Sequence, residues 1–153
     1  MAHGTHSLKF LEEKYKGEHN IETNSLYLRL LDDTYPGMDV AAHGQWSDIA
    51  EYEIADGNGY VAGTGIELTG VTVEAITAED TVLKVTATNK SIEASGGDIP
   101  ASKAAAIINA THTDNTVVAV IEYGATYITE DGKFLYFNFE DGLFEAEPEL
   151  SSE

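Results

Sequence analysis

Five histidines and 27 acidic residues are the side chains here with the chemistry to bind a metal or move a proton, and their spacing decides which. His3 and His6 form a His-x-x-His pair near the N-terminus, while His19, His43 and His112 are spread along the chain. A metal centre needs three or four converging ligands in a preorganised frame. In sequence these histidines have no obvious partners, so they read as solvent-exposed imidazoles and no metal is expected. The acidic pairs Asp32-Asp33, Glu130-Asp131 and Glu140-Asp141 offer the oxygens that calcium takes, but none has the alternating Asp-x-Asp-x-Asp-Gly frame of a loop site. Asp56-Gly57-Asn58-Gly59 comes nearest and supplies too few oxygens. Solvated charge is the default for such turns, with calcium held between subunits as the alternative. Glycoside hydrolysis needs two carboxylates facing one another across a cleft, whereas these acids cluster in turns and at the C-terminus. No serine sits in Gly-x-Ser-x-Gly, and Gly57-Asn58-Gly59 lacks the phosphate-binding helix and lysine that would follow it. Without cysteines there is no disulfide framework and no thiolate zinc site. The chain reads as a non-enzyme without a cofactor.

Charge narrows the partners. The formal net charge is −19 over 153 residues. Up to position 31 the basic residues Lys9, Lys14, Lys16 and Arg29 balance Glu12, Glu13, Glu18 and Glu22, so the remainder carries the whole of it. An acidic body of this kind repels phosphate and anionic lipid, which disfavours nucleic acid and membrane surfaces as partners. It also resists random association, which suits a protein made in many copies that attaches only at its own place. The apolar runs are short, such as residues 117–121, and the opening MAHGTHSLKF lacks the basic and apolar regions of a signal peptide. Synthesis in the cytoplasm is the expectation.

The elements that would position any site are mostly strands. Residues 1–24 are polar and mixed in charge, with one helical pattern over Leu8–Tyr15 that puts Leu8, Leu11 and Tyr15 on one face. They read as an N-terminal arm, either frayed or ordered only on a partner. Leu26, Leu28 and Leu30 alternate with Tyr27, Arg29 and Leu31 as a buried strand, and residues 32–44 form a loop around Pro36-Gly37 and His43-Gly44. After a turn or short helix at 46–51 and a Gly-rich segment at 56–65, strands are expected at 65–76, 81–88, 103–109, 116–123 and 133–140. Between them lie a Gly-Gly-Asp turn at 95–100 and hairpin turns at 113–115 and 130–132, with Asp131-Gly132 the strongest hairpin signal. A last short strand at 143–146 precedes an acidic tail, 148–153. On the final long strand Phe134, Tyr136 and Asn138 share one face, and Leu135, Phe137 and Phe139 the other. Apolar residues on both faces imply burial from both sides, within the core or at a contact between subunits. Many short strands between turns imply one all-β domain, a β-sandwich or barrel, over residues 25–147.

Two blocks of residues carry a resemblance. The first is Trp46, Ser47, Asp48 and Ile49, then Gly57, Gly59, Tyr60, Ala62 and Gly63, then Leu68, Gly70, Val71, Thr72 and Val73. The second runs through Ser95, Gly96, Gly97, Asp98 and Ile99, then the stretches 105–111, 118–124 and 133–137. Over residues 25–147 this pattern resembles a family of small all-β structural proteins of tailed-bacteriophage virions. The resemblance implies a non-enzymatic virion component, foremost a capsid decoration (cement) protein on the capsid exterior. Its implied partner is the major capsid protein, with the protein itself a dimer or trimer on the particle. In this reading the neutral arm supplies the contact, through Leu8, Lys9, Phe10, Leu11, Lys14, Tyr15 and Lys16. Two other roles stand beside it: a tail or head–tail junction component, and a carbohydrate-binding adhesion module. A row of exposed Tyr or Trp on one sheet face would mark the last, and a core-facing Trp46 would count against it.

Overall fold

A computed structural model of the chain describes residues 3–75, 83–139, 142–145 and 147–151. Several sequence expectations fall outside these residues: the Glu140-Asp141 pair, the ends of the expected strands at 76 and 81–82, residue 146, and the last two residues of the tail.

Among the described residues ten strands, all paired antiparallel, run in the order β1 (His3–His6), β2 (Leu26–Asp32), β3 (Ile66–Glu67), β4 (Thr72–Ala75), β5 (Leu83–Thr86), β6 (Lys90–Glu93), β7 (Ile99–Asn109), β8 (Thr116–Thr129), β9 (Phe134–Asn138) and β10 (Glu147–Ser151). The short helices α1 (Leu8–Tyr15) and α2 (Trp46–Ile49) accompany them. The main sheet is ordered β1-β8-β7-β2-β3, a second is β10-β9-β6, and β4-β5 forms a hairpin. The fold is therefore all-β, and because the main sheet ends at β1 and β3 it does not close into a barrel.

Period-two alternation explains how the two layers of core form on either side of the main sheet. Leu26, Leu28, Leu30, Ala105 and Ile107 face the second sheet and meet Ile92, Leu135, Phe137 and Phe139. Leu31, Ala104, Ala106 and Ile108 face the opposite way and are covered by Tyr35 and Ile49 from the loop between β2 and β3. The run Ala104-Ala105-Ala106 is fully buried on both faces, and its short side chains let each covering layer approach the backbone closely.

The β7–β8 pairing shifts register at three places, between Ile99 and Ser102, between Ser102 and Ala104, and between Ile107 and Ile108, and the last is a bulge. Ile107 pairs with Ala119 and Ile108 with Val117, leaving Val118 without a partner residue. The phase of the strand changes there: Val117 and Val120 lie in one core layer, Val118 and Ile121 in the other. At the bulge the N-terminal segment bonds two successive β8 carbonyls. The Ser7 hydroxyl donates to Val117 O at 2.6 Å, and His6 Nδ1 donates to Val118 O at 2.8 Å. Ser7 is also the N-cap of α1, accepting from Phe10 N at 3.0 Å.

Several expectations change. Residues 3–15 are joined to the domain: β1 pairs with β8, and Ser7, Phe10 and Glu13 are buried. Helix α1 has the expected limits and leaves Leu8 and Tyr15 exposed, but Phe10, read as a contact residue, turns inward. The turn at 130–132 is tight, with Lys133 N donating to Glu130 O at 2.8 Å, yet β8 and β9 enter different sheets and make no hairpin. Residues 143–145 form a 3-10 turn instead of a strand, and the segment read as an acidic tail supplies β10 along β9. Strand β6 was not expected, and β7 starts at Ile99, inside the stretch read as a turn. In β9 only the Leu135 and Phe137 face is buried, continued by Phe139, while Phe134 and Tyr136 are half-exposed.

Replacing Ser7 by alanine removes the cap and leaves a buried carbonyl unpaired, costs of roughly 1 kcal/mol each. We expect Ser7→Ala to lower the unfolding free energy by about 2 kcal/mol in a urea titration; a change within error of zero would mean that the contact at the bulge does not hold the segment.

Candidate functional site

Helix α1 presents the residues read from the sequence as a contact surface, now in two groups. Phe10 is buried in the core and Leu11 packs on its margin. Leu8 is 53% and Tyr15 86% exposed, and Lys14 Nζ lies 5.5 Å from the Tyr15 ring centroid. Leu8 N donates to Val40 O at 2.9 Å, which places a further exposed apolar side chain beside the stripe. Lys16 pairs with Glu12 at 2.6 Å, and Lys9 spans Glu13 and Asp114 at 3.0 Å each. Two of the eight basic residues of the chain, Lys9 and Lys14, thus sit on one two-turn helix with solvent-facing apolar side chains, and a third, Lys16, is its C-cap. No other helix of this length occurs among the described residues.

Beneath α1 lies a cluster that spacing concealed. Glu13 Oε1 accepts from Thr116 Oγ1 at 2.6 Å and from His19 Nε2 at 3.0 Å. Its Oε2 faces Lys9 Nζ at 3.0 Å and His112 Nε2 at 3.5 Å, and His112 Nε2 also reaches Glu18 Oε1 at 3.1 Å. The His19 and His112 rings stack with centroids 4.9 Å apart. The histidines expected to be isolated and exposed are therefore partnered, the His19 side chain being only 1% exposed. His43 is partnered too, with its Nδ1 accepting from Asp39 N at 3.1 Å.

Glu13, His19 and His112 bring one ligand atom each within 4.8 Å of one another, close enough to surround a cation. The surrounding hydrogen bonds run the wrong way for it. Thr111 N donates to Asn109 Oδ1 at 3.0 Å, which fixes that amide and turns its Nδ2 toward His19 Nδ1 at 2.8 Å. His19 Nδ1 is therefore an acceptor, and Nε2 carries the proton it gives to Glu13. A metal-bound Nε2 would require a proton on Nδ1 and an acceptor facing it. The arrangement is a hydrogen-bonded clasp that ties α1 and the following loop to the β7–β8 turn.

The glycine and aspartate motifs occupy structural positions. Asp48 Oδ2 accepts from Gly44 N at 3.1 Å and Gln45 N at 3.0 Å, Ser47 Oγ accepts from Gln45 Nε2 at 3.0 Å, and Ile49 is buried, so Trp46–Ile49 is a capped turn of helix. The two Gly-rich motifs touch: Asn58 Nδ2 donates to Asp98 O at 2.9 Å and Ser95 N to Asn58 O at 3.0 Å. Gly59 needs φ +108°, and a Cβ there would overlap the Glu93 carbonyl; a Cβ on Gly97 would come 2.8 Å from the Asn58 amide. Gly57, Gly63, Gly70 and Gly96 also have positive φ, as their turns require. Asp98 Oδ1 accepts from Asp131 N, and Asp131 Oδ1 from Gly96 N, at 2.9 and 3.0 Å. Buried Tyr60 donates to Glu53 Oε2 at 2.7 Å and accepts from Leu30 N at 3.1 Å, closing the edge of β2 beyond the end of β3. Asp32 and Asp56 likewise cap turns, at Thr34 N and Ala62 N.

No family model, curated protein or solved structure matches the chain. No helix among the described residues is long and apolar enough to cross a membrane.

Burial alone would raise the Glu13 pKa, but hydrogen bonds from Thr116, His19 and Lys9, with the His112 imidazole beside them, outweigh it and hold the group at about 2. A carboxylate with a depressed folded-state pKa stabilises the fold fully above its unfolded value of 4.5, and that contribution is lost as pH falls toward 2. The shift corresponds to about 3 kcal/mol. We expect Glu13→Gln to destabilise the protein by that order at pH 7 and to flatten the stability profile between pH 5 and 2.5, measured by urea unfolding at each pH. A variant as acid-sensitive as the native protein would rule out Glu13 as the group responsible.

Proposed function

We propose that this protein is a non-enzymatic structural component of a tailed-bacteriophage virion, a decoration protein that binds the outer capsid surface and stabilises contacts between major capsid subunits. The observation that carries the reading is the outward face of α1. There a helix that is anchored from below exposes Leu8 and Tyr15 and carries Lys9, Lys14 and Lys16, in a chain of net charge −19. An apolar stripe with basic neighbours is the part of such a protein most easily desolvated against an acidic or mixed-charge shell. The acidic remainder keeps free copies apart and faces solvent on the particle.

The mechanism is a clamp. A specific contact of ordinary size buries roughly 1,600 Å², and α1 alone covers only part of that, so the loop around Val40 beside Leu8 belongs to the same footprint. Repetition over a shell multiplies a modest energy per site. The motif glycines, Tyr60 and Asp98 support the fold behind this face and touch no partner in the mechanism. Dimers or trimers on the particle fit the clamp because each copy then grips more than one capsid subunit.

Mixed with capsids that lack it and sedimented, the purified protein is expected to bind saturably in hundreds of copies per particle, the regime of a shell-wide repeat. The double variant Leu8→Asp, Tyr15→Asp, both sites being exposed, is expected to keep the native melting temperature and lose at least tenfold in affinity. A handful of copies per particle would move the protein to the tail or the head–tail junction. Undiminished binding by the variant would remove α1 from the contact.

A further inference from the structure

On the sheet face that Tyr35 and Ile49 cover, the covering layer stops short, and the uncovered end is a concavity of about 480 Å³. Its floor is Tyr27 and Arg29 of β2 with Ile108 of β7, and its walls are Trp46, Asn115 and Thr64. Part of the indole packs on the core and the rest lines the concavity, so Trp46 is neither wholly buried nor free.

Arg29 is held rigidly here. Its Nε and Nη2 donate to the two Glu53 oxygens at 3.0 and 3.1 Å, and its guanidinium carbon lies 3.9 Å from the Trp46 ring centroid. Glu53 is in turn saturated by the Tyr60 hydroxyl and Gly63 N. The Nη1 donors of Arg29 have no acceptor among the described residues. Among the described residues no buried side-chain nitrogen or oxygen lacks a partner, so this end of the guanidinium is reached from the concavity. The Asn115 amide and the Thr64 and Tyr27 hydroxyls likewise make no bond to protein among the described residues. Asn115 is held in the left-handed region at φ +48° by the bond from Trp46 N to its carbonyl at 3.0 Å, which keeps its side chain at the rim.

We infer that this concavity is a binding site for a neutral saccharide, independent of the capsid contact on α1. The ligand class follows from the groups present. Fixed N–H donors on Arg29, an amide that both donates and accepts, and two hydroxyls form a mixed set, which vicinal hydroxyls complete from either side. A carboxylate only accepts, and any anion, phosphate included, would approach a protein of charge −19 whose local cation is already neutralised by Glu53. The Tyr27 ring beside Ile108 suits the C–H face of a pyranose, and the volume lies within the range of small-ligand sites.

Trp46 is the only tryptophan in the chain, so its emission reports on this site alone. The test screens the full-length protein on an array of neutral oligosaccharides, then titrates the strongest hit while following Trp46 fluorescence, with sodium acetate and inorganic phosphate as anionic controls. The expected result is a saturable emission change with a dissociation constant on the order of 1 mM or tighter, weakened at least tenfold in the double variant Thr64→Val, Asn115→Gly. Glycine retains the left-handed backbone at 115 and valine retains the shape at 64, so the variant keeps its melting temperature. An array without hits, an emission change produced only by the anions, or a sugar response that survives the double variant would each overturn the inference.

Discussion

The bulge at Val118 is the feature on which the rest of this structure depends. An antiparallel pair that gains one residue must leave backbone groups unpaired, and a buried carbonyl without a donor costs about 1 to 3 kcal/mol. Here the donors come from His6 and Ser7, more than a hundred residues away in sequence. Meeting that demand fixes the direction in which the chain leaves β1, the start of α1, and the side of the helix that faces the core. The outward stripe of Leu8 and Tyr15 follows from those same two hydrogen bonds. The orientation of α1 is therefore a property of the folded domain, and the contact proposed for its outer face needs no partner to order it.

The clasp around Glu13 completes the attachment one turn later. Its carboxylate collects Thr116, His19, Lys9 and His112 from three parts of the chain, and the amide of Asn109 sets which ring nitrogen of His19 holds the proton. Hydrogen-bond polarity separates this cluster from a metal site more sharply than distances do, since three ligand atoms within 4.8 Å fit either. The polar network and the bulge act at opposite ends of an eight-residue helix, so its orientation is fixed at two points.

Much of the fold was legible in residue patterns. Alternation identified β2, β7, β8 and β9, the capped turn at Trp46–Ile49 was visible, and the limits of α1 were right. What alternation cannot carry is the identity of the partner strand. Asp131-Gly132 makes the tight turn its composition promises, but whether the next strand folds back on β8 or crosses to β6 depends on packing between sheets. Residues 148–153 read as an acidic tail, although 148–151 belong to β10, because a strand at a sheet edge needs little hydrophobicity when its backbone is paired on one side. The stripe of Leu8, Leu11 and Tyr15 was seen, but Phe10, read with it as a contact residue, is buried together with Ser7 and Glu13. The histidine cluster was not visible at all, because His19 and His112 are brought together only by the β2–β7–β8 register.

The central claim is that residues 3–16 are folded into the domain and present α1 as a rigid docking face. Amide hydrogen exchange, followed for the free protein and again with the protein bound to empty capsids, tests it most directly. The account predicts slow exchange in β1 and the inner amides of α1 in the free protein, with further slowing on capsids concentrated at residues 8–16 and around Val40. Exchange of residues 3–16 at free-peptide rates in the unbound protein would contradict it. So would a capsid footprint confined to other parts of the surface.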